Sequence, residues 1–194
     1  MPTLDTKPTP SPTPRPTLRF FRPSEWPAVK AVFSTAFGGP EEAHLLDRLR
    51  GDGDLAFAIC AETPSAGLDV EMPVDEPFTA ALAFCDLPIL GPRPIRAVGL
   101  IGPAVLPAFR NRGLGSDLVR AGIAQCRKKG FEAICVLGDP TYFARFGFET
   151  SAARAIEAPY AGPYYMALAL HDGLGQIAGE ARYPRAFDAL NAQS

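Results

Sequence analysis

Histidine and tryptophan are scarce in this chain of 194 residues, which has 2 histidines, His44 and His171, and 1 tryptophan, Trp26. The 4 cysteines (Cys60, Cys85, Cys126 and Cys135) show no Cys-x-x-Cys spacing. Together these shortages exclude a Cys/His metal site, and no metal ligand set is expected. Each cysteine sits in an apolar segment, so reduced, buried thiols are the simplest reading. A surplus of one charge is also missing. The formal net charge is −2, which gives no general pull toward nucleic acid or anionic membrane. No apolar run is long enough to span a bilayer, and the N-terminus lacks a secretory apolar core. The cytoplasm is the expected compartment.

What is present divides into a tail and one domain. Residues 1–16, MPTLDTKPTPSPTPRP, form a Pro/Thr-rich stretch with almost nothing to bury and are expected to be disordered. Residues 17–194 have the length and composition of a single domain.

Thr17–Phe21 reads as a strand, and Ser24 as the N-cap of a helix that carries Pro27 in its first turn. Val29, Val32, Phe33 and Phe37 recur at helical spacing, and Gly38-Gly39-Pro40 ends the run. Trp26 and the phenylalanines at 20, 21, 33 and 37 are expected to build the core beneath this helix. A second helix is expected over Glu41–Arg50, then strands over Leu55–Ala61 and Thr79–Leu87. Between those strands Glu62–Pro77 reads as a long surface loop. Ala97–Leu106 is a strand interrupted by Gly102-Pro103, which implies an edge, a bulge or a splayed strand. Gly113–Lys129 is the best helix, with Leu114, Leu118, Val119, Ile123 and Cys126 on one stripe. The unbroken run Ala133–Leu137 suits a strand covered on both faces. A short helix near Pro140–Arg145, a strand at Tyr164–Leu170 and a last strand within Gln176–Asp188 complete the order. This is an α/β (α+β) pattern with a mixed sheet and helices on both faces.

The informative string is AVLPAFRNRGLGSDLVRAG, Ala104–Gly122. A strand ends, a loop carries Arg110-Asn111-Arg112, and a helix opens at Gly113-Leu114-Gly115-Ser116. Helix starts expose unpaired amides and favour phosphate. The glycines allow close backbone approach, and the arginines add charge for phosphate oxygens. The physical reading is a pyrophosphate cradle. It is not a Walker loop, because no Gly-Lys-Ser/Thr follows. It is not a dinucleotide fingerprint either, because the third glycine and the acidic residue after the next strand are missing.

RNRGLG resembles the Gln/Arg-x-x-Gly-x-Gly/Ala signature of the GNAT superfamily of N-acetyltransferases. LGDPTYFARFGF, Leu137–Phe148, resembles the second signature of that family, and GEARYPRAF, Gly179–Phe187, is similar to the tail of its bacterial YhbS-like branch. The likeness runs from about Leu18 to Asp188. It implies two neighbouring parallel strands, Ala97–Leu106 and Ala133–Leu137, that splay apart to admit the pantetheine arm of acetyl-CoA. Main-chain groups of Ala104 and Val105 would meet the pantetheine and thioester. Arg110, Asn111, Arg112, Gly113, Leu114, Gly115 and Ser116 would hold the pyrophosphate, and Phe143 would lie against the cofactor. The implied reaction is direct attack of a primary amine on the thioester in a ternary complex. Some members of the family dimerise, so a homodimer stays open.

Two departures from the family pattern matter. The position that often carries a tyrosine acid holds Phe143, which cannot donate a proton. Tyr142, one residue earlier, and water remain as alternative proton sources. Pro103 stands where relatives often supply an amide to the acetyl carbonyl, so Val105 or a neighbouring amide would take that role. A non-catalytic CoA-binding sensor is the competing reading. His44, His171, Glu41 and Glu42 read as surface or helix-end residues; Cys85 and Cys135 read as packing residues.

Overall fold

A computed structural model describes residues 16–62 and 77–188. The expected tail and the interior of the Glu62–Pro77 loop lie outside these residues. In chain order the elements are β1 (Leu18–Phe20), α1 (Trp26–Phe37), α2 (Glu41–Asp52), β2 (Leu55–Glu62), β3 (Phe78–Asp86), β4 (Ile89–Leu90), β5 (Ala97–Val105), α3 (Leu114–Lys128), β6 (Ala133–Leu137), α4 (Pro140–Phe143), β7 (Ala155–Glu157), β8 (Tyr165–Ala169) and β9 (Ala178–Ala181).

The apolar runs become the central sheet, in the order β1-β2-β3-β5-β6-β8, and β5–β6 is its parallel pair. α3 lays its apolar stripe on one face of it. There Gly122 lets the helix approach so closely that an added Cβ would lie 2.6 Å from the Phe84 ring and 2.9 Å from Leu82. The pleat sends alternate residues to the other face, where α1 and α2 cover the β2–β3 half. A small second sheet, β4-β9-β7, covers the other half and buries Cys135, Tyr165 and Ala167 beneath Ile156 and Ile177. The sequence pattern did not reveal β4 and β7, which are only 2 and 3 residues long.

Ser24 is not the cap of α1. It lies inside a tight turn over Pro23–Glu25, and α1 begins at Trp26 with Pro27 in its first turn. Glu25 fixes that turn: its carboxylate accepts from the Arg22 N–H (2.6 Å) and from the Arg19 guanidinium (2.8 Å). α1 and α2 are joined through Asp47, which accepts from Trp26 Nε1 and Lys30 Nζ, both at 2.7 Å. Gly38 and Gly53 end the two helices in the left-handed conformation. Trp26 and Phe33 are core residues, but Phe20 and Phe37 are each 47% exposed. The expected aromatic core under α1 is therefore smaller than the sequence suggested.

The feature that makes the site is the end of the parallel pairing. β5 and β6 pair from Ala97–Ala133 to Leu100–Val136, after which β6 stops at Leu137 while β5 runs on to Val105. Against β3 the register slips: Ala83 pairs with Ile101 and Ala81 with Ala104. Leu82 thus faces both Gly102 and Pro103, a bulge that absorbs the proline.

Candidate active site

Above Leu100 the sheet opens, and the groups around the opening follow from local geometry. Leu106 N–H donates to Thr79 O at 3.0 Å. Alternation along the strand sends the Ala104 N–H the same way, toward β3, and the Val105 N–H toward the gap. A turn over Pro107–Phe109, anchored by buried Phe109, carries the chain to the loop. Asn111 (φ 61°) and Gly113 (φ 85°) both take left-handed backbone and fold that loop over the start of α3. The Asp117 N–H closes onto Gly113 O at 3.0 Å. The amides of Leu114, Gly115 and Ser116 precede that rung and face outward from the helix start.

These groups line a cleft of about 570 Å³. Tyr142 reaches into it from α4, whose start is fixed by the Asp139 carboxylate accepting from Thr141 N–H at 2.8 Å. The Tyr142 hydroxyl is buried and has no hydrogen-bond partner among the described residues. Gly115 makes room for it: a Cβ there would lie 2.9 Å from Tyr142 Oη and 3.2 Å from Pro103 Cγ. Arg145 closes the cleft on that side. Its Nε donates to Tyr142 O at 3.0 Å, and its guanidinium carbon lies 4.1 Å from the Tyr142 ring centroid.

Several expected site residues meet at this cleft. Val105, Arg110 and Asn111 line it, as do Gly113 through Ser116 and Tyr142. Three others do not. Ala104 is fully buried within the sheet. Arg112 turns away, with its guanidinium 5.5 Å from the Phe109 ring centroid. Phe143 is buried against Gly138, where an added Cβ would meet its ring at 2.5 Å, and packs edge-on to Phe148. The short helix therefore presents Tyr142, not Phe143, to the cleft.

Arg110 also departs from its expected phosphate role. Its Nη2 donates to Ala36 O at 2.6 Å and its Nε to Val105 O at 3.3 Å, so it ties the end of α1 to the end of β5. Ala36 and Phe37 also line the cleft; Phe37 was expected in the core, and neither Ala36 nor Arg145 was expected at the site. His44 and His171 are exposed and do not line the cleft.

Among the described residues the charge of the cleft has one sign. Arg110, Arg145 and the start of α3 are positive, and no carboxylate is among the described lining residues. The cysteines stay apart from it. Burial pushes the Cys60, Cys85 and Cys126 thiols up to about 12 and Cys135 to about 11. Among the described residues no group of three His, Cys, Asp or Glu could hold a metal ion. No described helix is long and apolar enough to cross a membrane.

Residues 80–148, from β3 through α4, match the family described as "Acetyltransferase (GNAT) family". The chain is 28% identical over 175 residues to the "Uncharacterized N-acetyltransferase YhbS" of Escherichia coli, covering 88% of this chain and 98% of that protein. The crystal structure of E. coli YhbS in complex with CoA superposes with a TM-score of 0.78 at 26% identity, covering 92% of this chain and 94% of that one. Residues 80–148 thus carry a GNAT acetyltransferase match, and most of the chain is similar to GNAT proteins. A GNAT family acetyltransferase from Brucella melitensis, solved with acetyl-CoA, is 28% identical with a TM-score of 0.69, covering 89% of this chain and 97% of that one. The matched segment contains the split strand pair, the glycine loop and the aromatic short helix, which build most of the cleft.

Proposed function

We propose that this chain is an N-acetyltransferase that moves an acetyl group from acetyl-CoA to a primary amine in a ternary complex. The observation that carries the reading is the cleft itself, which is positive, free of carboxylates among the described residues and open onto the split between β5 and β6. Its residues fit acetyl-CoA. Outward amides of α3 suit a pyrophosphate, Gly115 leaves room for the Tyr142 hydroxyl, and that orphan hydroxyl lacks a partner that a ligand would supply.

Acetyl-CoA brings an activated acetyl group on a thiol leaving group. The protein's own contribution is positional and electrostatic. Asn111, Gly113, Leu114, Gly115 and Ser116 hold the diphosphate through backbone amides. The Val105 N–H, aimed into the gap, donates to the acyl oxygen as it gains charge. Tyr142 Oη holds the proton that the departing sulfur needs. The sensor alternative rested on Phe143 and Pro103. Tyr142 in the cleft and the free Val105 amide answer both and favour the enzyme. We take residues 17–194 as the catalytic domain and 1–16 as a tail. In this reading the protein acts in the cytoplasm on an amine of undetermined identity, and pairing as a homodimer remains part of the proposal.

Thermal unfolding with and without acetyl-CoA tests the cofactor, with ATP as control. A ligand at a hundred times its Kd adds about 2.7 kcal/mol, a rise of roughly 5–10 °C for a domain of this size. The expected result is a rise with acetyl-CoA and none with ATP, followed by thiol release with a subset of an amine panel. A folded sample that ATP stabilises equally would overturn the reading. Binding with no turnover across the panel would favour the sensor.

A further inference from the structure

Arg145 has an arrangement that cofactor binding alone does not explain. It lines the cleft, yet its guanidinium is engaged with the protein. Nε donates to Tyr142 O at 3.0 Å, and the guanidinium carbon lies 4.1 Å from the Tyr142 ring centroid and 5.1 Å from that of Phe146. Phe146 also meets a second cation, Arg120 of α3, at 5.6 Å. Tyr142 is thus held by its backbone carbonyl and by its ring face, both through one side chain. Its hydroxyl is the only part left without a partner among the described residues. The backbone beneath is short: α4 has 4 residues, is held at its start by Asp139, and gives way at once to a tight turn over Ala144–Phe146.

We propose that Arg145 is a positioning residue that acts through Tyr142, fixing the phenol so that its Oη–H points at the sulfur of the bound thioester. This rests on the acetyl-CoA reading above. The balance of the step is simple. The amine nitrogen bonds to the acyl carbon, the carbon–sulfur bond breaks, and the sulfur takes the Tyr142 proton. The amine's proton leaves to solvent, from which the tyrosine is reprotonated. A cation over the ring contributes beyond orientation, because its attraction to the ring grows as the phenol oxygen gives up its proton. Stabilisation that grows during the step raises kcat rather than ground-state binding.

The test compares CoA with desulfo-CoA, which keeps the phosphates and pantetheine but lacks the sulfur. Affinities are measured by calorimetry on the wild type, Arg145→Gln, Arg145→Lys and Tyr142→Phe, each checked for folding by its thermal melt. One hydrogen bond to sulfur makes the wild type bind CoA about threefold to tenfold tighter than desulfo-CoA. Arg145→Gln and Tyr142→Phe are expected to erase that preference while leaving desulfo-CoA affinity unchanged. Arg145→Lys, which keeps a cation over the ring, restores part of it. In turnover, Arg145→Gln lowers kcat about tenfold with little change in KM for acetyl-CoA, the size of one cation–π contact. Equal loss of affinity for both ligands makes Arg145 a phosphate contact and overturns the proposal. A wild type with no preference for the sulfur, or an Arg145→Gln variant that keeps it, also overturns it. A wild type that binds neither ligand removes the cofactor reading itself, and this inference with it.

Discussion

A single absent carbon atom shapes the cleft at Gly115. The helix start there could accept alanine on backbone grounds, since the residue is not among those with positive φ. The obstacle is spatial: the new Cβ would stand 2.9 Å from Tyr142 Oη, and the phenol would have to move. Gly115→Ala is therefore expected to leave the melting temperature nearly unchanged and to cut kcat/KM about a hundredfold, the scale of a displacement near 1 Å at a reacting group. Steady-state kinetics beside a thermal melt checks it, and a variant with wild-type kcat/KM would remove Tyr142 from the mechanism. At this scale the sequence carried part of the site. Glycines before a helix were readable because their use depends on local backbone. The choice between Tyr142 and Phe143 was not, because it depends on the phase of a four-residue helix set by Asp139 and on the room left by Gly138. The tie from Arg110 to α1 was not readable for a similar reason, since its partner Ala36 lies 74 residues away in the chain.

Elements with a strong internal pattern were legible nearly to their ends. The apolar stripe of α3 and the unbroken run of β6 announce themselves because packing on a sheet demands those periods. The second sheet had no such signal. β9 reads Ala-Gly-Glu-Ala, and its Gly179 takes φ 133° against the backbone of Leu90, a contact that only the folded chain reveals. The turn before α1 gives a measurable consequence of local chemistry. Hydrogen bonds from Arg19, then from the Arg22 backbone, hold the Glu25 carboxyl down to about 2 from an ordinary value of 4.5. A carboxyl lowered in the folded state stabilises fully above its unfolded value and loses that effect as protons bind. Between pH 4.5 and 2 the melting temperature is expected to fall, and Glu25→Gln to flatten that part of the curve while lowering stability at neutral pH. An unchanged acid profile in the variant would show that the Arg19 pair carries no linkage.

The molecule as a whole keeps its reactive atoms inside. All four cysteines are free and buried, with thiols held well above neutral pH by lack of solvent. A thiol-specific reagent at pH 8 should label almost none of them in the native state and all 4 after denaturation. Rapid labelling of one thiol in the folded protein would mark a region that opens locally. The division of labour across the fold was only half visible beforehand. That helices would cover both faces followed from the order of elements, whereas the pairing of α1 and α2 on one half of a face with a small sheet on the other did not. It depends on contacts between distant segments, such as Trp26 with Asp47 and Cys135 with Ile156.

An open sheet ordinarily has two rims, and both are places where a stray strand can attach. By parting above Leu100, β5 and β6 create a second pair of rims in the middle of the molecule. Any unspent main-chain donor there, such as Val105 N–H, faces a slot closed in by α1 and α3 rather than open water. A slim, flexible molecule that offers its own main-chain-like groups can pair there as an added strand would. The fold thus keeps unpaired strand backbone in the interior of a sheet, where a guest between α1 and α3 meets it, as well as at the outer rims.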